Sequence, residues 1–290
     1  MKLFLQLFLI SVITVSCGIS NQNELDSINN VDEKSSEDIY DSTLNVQEKK
    51  KIVLSFDSII YSNLDEALKH SEEVKILHLK PKKRTNQLDT FPVEVLELIN
   101  LTELKLNGYN FIDVPKEISK LKNLKYLDLS HSNFLENLPS EIGNLKNLEV
   151  LLLNDNFALE KLPEELGELK NLEKLNLSLT RINEFPDFIC KLQSLKFLNV
   201  MKTKIKSVPP CIKNLKELNV LYINNCNISS LPSEIGELEN LKTLWLINTG
   251  IKDVPNEIAN LKKLKKLWIY PNSEFKKRLD SLLPKTLLVR

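Results

Sequence analysis

The segment LNVLYINNCNISSLPSEIGELEN, residues 218–240, decides the fold of this 290-residue chain. Its first half alternates inward and outward positions, as in Leu221-Tyr222-Ile223, which is typical of a short strand with one buried face. Its second half contains Leu231-Pro232, and a proline at this place ends extended structure before a helical turn. The segment therefore predicts one strand followed by one short helix.

The same pattern returns along most of the chain at an almost constant interval. The motif LxxLxL, with valine or isoleucine allowed at its apolar positions, recurs in steps of 27, 23, 24, 24, 23, 23, 23 and 23 residues. Its nine copies start at Val74, Leu101, Leu124, Leu148, Leu172, Leu195, Leu218, Leu241 and Leu264. Because one such unit cannot bury its leucines alone, the repetition predicts a stack of units around one continuous apolar core.

These units resemble the leucine-rich repeat family across residues 74 to 290, in the 23-residue class with the form LPxEIGxLxNL. The stretch Leu138-Pro139-Ser140-Glu141-Ile142-Gly143 carries that form. The resemblance implies an α/β leucine-rich repeat solenoid, with a curved parallel sheet on the concave side and short helices on the convex side. It also implies binding of another macromolecule as the class of activity.

The amino terminus has the features of a bacterial export signal. Lys2 precedes an apolar run from Leu3 to Val15, whose 13 residues are too few to cross a bilayer but fit a signal peptide. The run ends in Thr14-Val15-Ser16-Cys17, which resembles the lipobox of lipoproteins, although Thr14 replaces the usual leucine. We therefore expect lipidation of Cys17 and a lipid-anchored location in the cell envelope. The alternative is an ordinary secretory signal followed by a coincidental cysteine.

Five segments are expected along the chain. Residues 18–48 hold eight acidic residues against Lys34 alone and few large apolar side chains, which is typical of a disordered tether. A stack of repeats also needs closed ends, so helices are predicted after Asn63 and from Ser273 to Leu283, with strands at 52–54 and 286–289. The expected division is a signal peptide at 1–16, a lipidated cysteine with the tether at 17–48, an amino-terminal cap at 49–73, nine repeats at 74–272 and a carboxy-terminal cap at 273–290.

The candidate binding residues emerge when the repeats are sorted into columns. In the family, residues between the strand leucines point from the concave face. The column between the last two leucines of each motif changes from mostly polar to aromatic, and reads His78, Lys105, Asp128, Leu152, Asn176, Asn199, Tyr222, Trp245 and Trp268. Because neighbouring strands lie about 4.8 Å apart, the three aromatic side chains should form one solvent-facing stripe. With flanking columns added, the predicted protein-binding residues are Phe197, Met201, Tyr222, Trp245, Ile247, Trp268 and Tyr270.

Several exposed aromatic side chains on one face are typical of a binding surface. The sequence thus predicts a non-enzymatic protein-binding module of the interaction or adhesion type, with its ligand on the concave face. Two structural alternatives stay open, in which the rings only stack on each other or are covered by the carboxy-terminal tail. The alternative function is a structural envelope protein that forms a homodimer through the same stripe.

Composition argues against several other functions. The formal net charge is zero, and residues 49–290 carry 37 lysines and arginines against 31 acidic residues, so nucleic acid is not an expected partner. Six glycines and the lack of GxxxxGK[ST] and GxGxxG argue against nucleotide binding, and no cofactor is expected. His70, His78 and His131, the last near Asp128, have no evident nucleophile beside them, so no catalytic residue is predicted.

Two smaller features of the sequence leave alternatives open. The four cysteines lack metal-ligand spacing, so no metal is expected. Cys190 and Cys211 flank the helix-side isoleucines of adjacent repeats, and they form either one disulfide or two buried thiols. The basic run Lys82-Lys83-Arg84 in the long first repeat is either an anionic contact or a solvated loop.

Overall fold

The computed structural model describes residues 59–81 and 88–283, together with the backbone of 287–289. These residues belong to one compact unit, Ser58–Arg290. The predicted signal peptide, Cys17, the tether, the predicted strand at 52–54 and the basic run at 82–84 lie outside the described residues. Among the described residues, no helix has the length and apolar character needed to cross a membrane.

Eleven short parallel strands form one sheet, and their order in the sheet is their order in the chain. Each strand pairs in register with the next, as Leu221 does with Leu244. The strands are β1 (Ile60–Tyr61), β2 (Ile76–His78), β3 (Glu103–Lys105), β4 (Tyr126–Asp128), β5 (Val150–Leu152), β6 (Lys174–Asn176), β7 (Phe197–Asn199), β8 (Val220–Tyr222), β9 (Thr243–Trp245), β10 (Lys266–Trp268) and β11 (Leu287–Val289). This sheet confirms the predicted solenoid of stacked repeats.

Within the described residues, eight 3₁₀ helices form a second row of elements. They are η1 (Val93–Glu97), η2 (Lys116–Lys120), η3 (Ser140–Asn144), η4 (Glu164–Glu168), η5 (Asp187–Lys191), η6 (Pro210–Asn214), η7 (Ser233–Glu237) and η8 (Asn256–Asn260). Each begins directly after a proline, whose ring fixes φ and whose carbonyl accepts the first bond of the turn, as Pro232 does from the amide of Ile235 at 3.1 Å. The predicted short helices are therefore 3₁₀ turns, closed by bonds between residues three apart.

Helices lie at both ends of the repeats, as predicted. Helix α1 (Leu64–Lys69) begins after Asn63, whose side chain accepts a hydrogen bond from the amide of Glu66. Helix α2 (Ser273–Leu282) begins after Asn272 and buries Phe275 and Leu279. Strand β11 follows α2 and pairs with β10, so the sheet continues past the last repeat.

The leucines of the repeated motif form a continuous core between the two rows. The middle residue of each strand from β2 to β10, such as Leu127 or Leu198, is fully buried, and the apolar residues at the first and last positions of each LxxLxL motif are also buried. Beyond each of the strands β3 to β9 the chain turns through a residue with positive φ, and Gly108 is the one glycine among these seven residues. The other six, all with φ between 54° and 60°, are His131, Asp155, Leu179, Lys202, Asn225 and Asn248. Strand faces are thus set by the leucines and strand ends by these turns.

Neighbouring 3₁₀ helices approach most closely at glycines. A Cβ atom on Gly143 would lie 2.3 Å from the carbonyl oxygen of Glu165 in the next repeat. A Cβ atom on Gly236 would lie 2.2 Å from the carbonyl oxygen of Glu257. Both distances are far below van der Waals contact, so the stacking of these helices requires glycine there.

The disulfide occupies the corresponding place between η5 and η6. Cys190 follows the buried Ile189, as Gly236 follows Ile235, and Cys211 precedes Ile212. Their Cα atoms are 5.7 Å apart and their sulfur atoms are bonded. Of the two states that the sequence left open for this pair, the structure has the disulfide.

Candidate functional site

Four rings from four consecutive strands lie side by side on the concave face. The ring centroids of Phe197 and Tyr222 are 5.5 Å apart, those of Tyr222 and Trp245 are 5.1 Å apart, and those of Trp245 and Trp268 are 5.2 Å apart. The first two contacts are edge-to-face, a favourable arrangement for aromatic pairs. The predicted contact between neighbouring aromatic residues is therefore present, and we call these four residues the aromatic stack.

The predicted exposure of this surface is wrong for most of its residues. Tyr222 is 1% exposed and Trp245 is 5% exposed, and Phe197 and Ile247 are also buried. None of these four belongs to the leucine core. Their burial is explained by strand spacing, because rings on strands about 4.8 Å apart cover each other's faces and edges.

Of the seven predicted binding residues, Tyr270 alone is exposed. Trp268, the last ring of the aromatic stack, is half-buried, and Tyr270 is 49% exposed. Met201, at the other side of the predicted surface, is half-buried. The accessible part of the aromatic stack is therefore Trp268, whose ring contacts the buried Trp245.

The concave face has a different character over the middle strands, where buried polar side chains bond to each other. Oδ1 of Asp128 accepts hydrogen bonds from the amide and hydroxyl of Ser130, at 2.9 and 2.6 Å. Oδ1 of Asn176 likewise accepts from the amide and hydroxyl of Ser178, and Nδ2 of Asn176 donates to Oδ1 of Asn154 at 3.2 Å. These residues form a polar ladder whose buried groups are partnered.

This pairing stops where the ladder meets the aromatic stack. Oδ1 of Asn199 accepts from the amide of Met201, but Nδ2 of Asn199 is buried and has no hydrogen-bond partner within the part of the chain that the structure describes. Oδ1 of Asn224 and Nε1 of Trp245 are likewise buried and have no hydrogen-bond partner among the described residues. We call Asn199, Asn224 and Trp245 the junction. A buried polar group without a partner loses its hydration and gains nothing in exchange.

Charged side chains occupy the first strands of the concave face. Oε1 of Glu103 lies 2.6 Å from Nε2 of His78 and 3.1 Å from Nζ of Lys105. The same Lys105 ammonium lies 4.9 Å from the ring centroid of Tyr126, a cation–π distance. These charges pair with each other rather than facing the aromatic stack.

Each histidine considered as a catalytic candidate lies beside a carboxylate other than Asp128. His131 faces Asp155, with 3.6 Å between Nδ1 and Oδ2, while Asp128 is held by Ser130. His70 lies beside Glu66 at the end of α1. Within residues 59–81 and 88–283, no group of three or more His, Cys, Asp or Glu side chains is placed to hold a metal ion.

Two exposed aromatic residues were missed in the sequence. Phe134 is 37% exposed and Phe157 is 47% exposed, and both lie in the segment between a strand and the next 3₁₀ helix. Both lie in repeats of 24 residues rather than 23, and the extra residue stands before the next core leucine. The unit length was therefore a signal that could have located them.

The leucine-rich repeat region family matches residues 55–178, and the Leucine Rich Repeat family matches residues 217–238. No curated protein matches the chain. Among solved structures, a leucine-rich repeat protein of Leptospira interrogans is 29% identical, with a TM-score of 0.58, and the match covers 80% of this chain and 70% of that one.

Two further solved structures extend the comparison. An internalin (inlF) of Listeria monocytogenes is 25% identical with a TM-score of 0.59, and the match covers 71% of this chain and 57% of that one. The ectodomain of the Arabidopsis thaliana receptor kinase GASSHO1/SCHENGEN3, in complex with CASPARIAN STRIP INTEGRITY FACTOR 2, is 26% identical with a TM-score of 0.52, over 69% of this chain and 26% of that one. The fold is thus a leucine-rich repeat solenoid, which generally serves as a non-enzymatic protein-interaction module.

Proposed function

We propose that this protein is a non-enzymatic protein-binding module of the bacterial cell envelope, and that it binds its ligand on the concave face beside Trp268 and Tyr270. The observation that carries the proposal is the aromatic stack, which ends in the half-buried Trp268, two residues before the exposed Tyr270. Tryptophan and tyrosine are frequent anchors of protein interfaces. The receptor ectodomain that was solved with a bound partner supports protein binding as the activity class.

We expect the double substitution Trp268→Ala with Tyr270→Ala to weaken ligand binding about 30-fold, since removal of an interface anchor costs about 2 kcal/mol. The full-length protein would first be screened by surface plasmon resonance against purified extracellular proteins. The affinity for the best ligand would then be measured for both forms.

The matched control is Phe134→Ala with Phe157→Ala, which removes two exposed rings that are not on the strands. We expect this control to retain the affinity of the unsubstituted protein. Loss of binding in the control, with no loss in the Trp268 and Tyr270 variant, would contradict the proposed site. A concentration-dependent dimer in analytical ultracentrifugation that Trp268→Ala abolishes would instead favour self-association.

The envelope location is proposed together with a lipid anchor at Cys17. The apolar run before Cys17 supports it, and so does the disulfide between Cys190 and Cys211, because structural disulfides persist mainly in oxidising compartments outside the cytoplasm. We propose no particular leaflet, and protease treatment of intact cells would distinguish the surface from the periplasm.

We expect cells grown with an alkyne-tagged fatty acid to label the unsubstituted protein and not the Cys17→Ala variant. The label would be read by gel fluorescence, and the variant should leave the membrane fraction. Cys226→Thr is the control that keeps its label, because this buried cysteine lies inside a repeat. An unlabelled wild-type protein would exclude the anchor.

A further inference from the structure

Among the buried polar groups of the concave face, those of the junction stand apart from the polar ladder. In the ladder, the amide of Asn176 bonds on one side to Asn154 and on the other to Ser178. The equivalent Asn199 in the next repeat has only the amide of Met201 as a partner, and its Nδ2 has none. A protein interior normally pairs such groups, so an exception calls for a specific explanation.

The three groups of the junction alternate in hydrogen-bonding character across three neighbouring strands. Asn199 and Trp245 both stand in register with Tyr222, at the ends of β7 and β9, and each offers a buried N–H donor. Asn224 lies two residues after Tyr222, past the end of the intervening strand β8, and offers a buried oxygen acceptor. The order across the sheet is therefore donor, acceptor, donor, over roughly 10 Å for two strand spacings.

We infer that the junction recognises the main chain of an extended peptide that runs across β7, β8 and β9, an inference that rests on the proposed protein-binding function. One edge of an extended peptide presents a carbonyl, an amide N–H and another carbonyl, which is the complement of donor, acceptor, donor. The two carbonyls are about 7 Å apart, within reach of side chains from strands roughly 10 Å apart. The junction contains no charged side chain, which suits an uncharged amide rather than a carboxylate or a phosphate.

Binding must rearrange side chains, because the three polar atoms are closed to solvent in the free protein. Trp268 contacts Trp245 and is half-buried, so in this inference a movement of Trp268 uncovers the Trp245 side of the junction. The chain contains only two tryptophans, and both belong to the aromatic stack. Tryptophan fluorescence and the two indole N–H resonances therefore report on this surface alone.

The test begins with random 12-residue peptides displayed on phage and selected on the full-length protein. The best peptide would be synthesised, together with a set in which each amide N–H in turn is replaced by an ester oxygen. We expect the peptide with an ester at one particular position to bind at least about tenfold more weakly, because that ester removes a hydrogen bond to a buried acceptor.

Two substitutions test the protein side of the same bonds. Asn224→Leu removes the acceptor. For this variant the ester at the sensitive position should bind almost as tightly as the all-amide peptide, because the ester and the substitution remove the same hydrogen bond. Trp245→Phe removes the indole N–H but keeps a ring, and should weaken binding about tenfold without lowering the melting temperature. The matched control is Thr243→Val, which alters a buried hydroxyl on the same strand and should keep the affinity.

Several outcomes would overturn the inference and leave the proposed function standing. One is that the ester peptide loses the same affinity for the wild-type and the Asn224→Leu proteins. Another is that Trp245→Phe lowers the melting temperature and leaves peptide binding unchanged, since the indole N–H would then contribute to stability alone. Selection of no peptide, alongside binding to purified oligosaccharides on an array, would also overturn the assigned ligand class. Binding that is insensitive to Trp268→Ala with Tyr270→Ala would instead refute the proposed function itself.

Discussion

Replacement of Gly236 by alanine is expected to lower the free energy of unfolding by about 3 kcal/mol, the upper part of the range for inserting an atom into a packed site. The new Cβ atom would lie 2.2 Å from the carbonyl oxygen of Glu257 and 2.7 Å from its carbonyl carbon. Because these are backbone atoms of the adjacent repeat, relief of the clash requires that η7 and η8 move apart. Urea denaturation followed by circular dichroism would measure the loss.

Gly167→Ala is the matched control for this effect. Its nearest contact would be Cδ of Lys191 at 2.9 Å, a flexible side-chain atom that can move aside, so we expect a loss below about 1 kcal/mol. The chain also contains a natural control, because Ala259 occupies the same position in η8, after which no further 3₁₀ helix follows among the described residues. Equal losses for Gly236→Ala and Gly167→Ala would contradict close helix approach as the cause.

Removal of the disulfide by Cys190→Ser with Cys211→Ser should destabilise the protein by about 3 kcal/mol, the value for a closed loop of this length in the chain-entropy model. The two cysteines are 21 residues apart and join adjacent repeats, so reduction frees the unfolded chain from one closed loop. Thermal unfolding in the presence and absence of a reducing agent would measure the difference. The unsubstituted protein should become as unstable as the variant when it is reduced.

Cys226→Thr is the control for replacement of a cysteine that is not part of the disulfide. Threonine stands at the equivalent position in three other repeats, including Thr203, and burial raises the pKa of the Cys226 thiol, so this group stays protonated. We expect a change below about 1 kcal/mol and the same sensitivity to reduction as the wild type. If the reducing agent left the melting temperature of the unsubstituted protein unchanged, the disulfide would not contribute to stability.

The architecture could be predicted because it depends on a periodic signal. Each repeat places leucines at the same offsets, and a residue such as Leu221 has no other way to be buried than against its neighbours in adjacent repeats. The caps could be predicted from local chemistry, since Asn63 and Asn272 cap their helices with short-range hydrogen bonds. These features require no knowledge of distant contacts.

The exposure of the aromatic stack could not be predicted in the same way. The columns correctly place Tyr222 beside Trp245, but exposure depends on how the rings tilt and on the size of the side chains around them. Tyr222 packs edge-to-face against its neighbours and is buried, whereas Tyr270 is exposed, although each directly follows a buried core residue. Orientation of side chains is a property of packing in three dimensions, and a one-dimensional pattern does not contain it.

The disulfide and the junction illustrate two further kinds of missing information. Cys190 stands in the same column of the repeats as Gly143 and Gly236, where neighbouring 3₁₀ helices approach each other closely. The distance between these helices is not contained in the sequence, so the column alone did not predict the disulfide. The unpartnered state of Asn199 depends on whether an acceptor lies next to its amide, and the equivalent Asn176 has one. Identical residues in the same column can therefore differ in their hydrogen bonds, because their neighbours in the adjacent repeats differ.

The sequential order of the strands also affects how this gene can change over time. Because each unit touches mainly the units before and after it, whole units can be duplicated or lost and the protein becomes longer or shorter without a new core. The pair that carries Cys190 and Cys211 is an exception, since copying or deleting either unit alone would leave a cysteine without its disulfide partner. Variation in repeat number among descendants of this protein should therefore spare that pair.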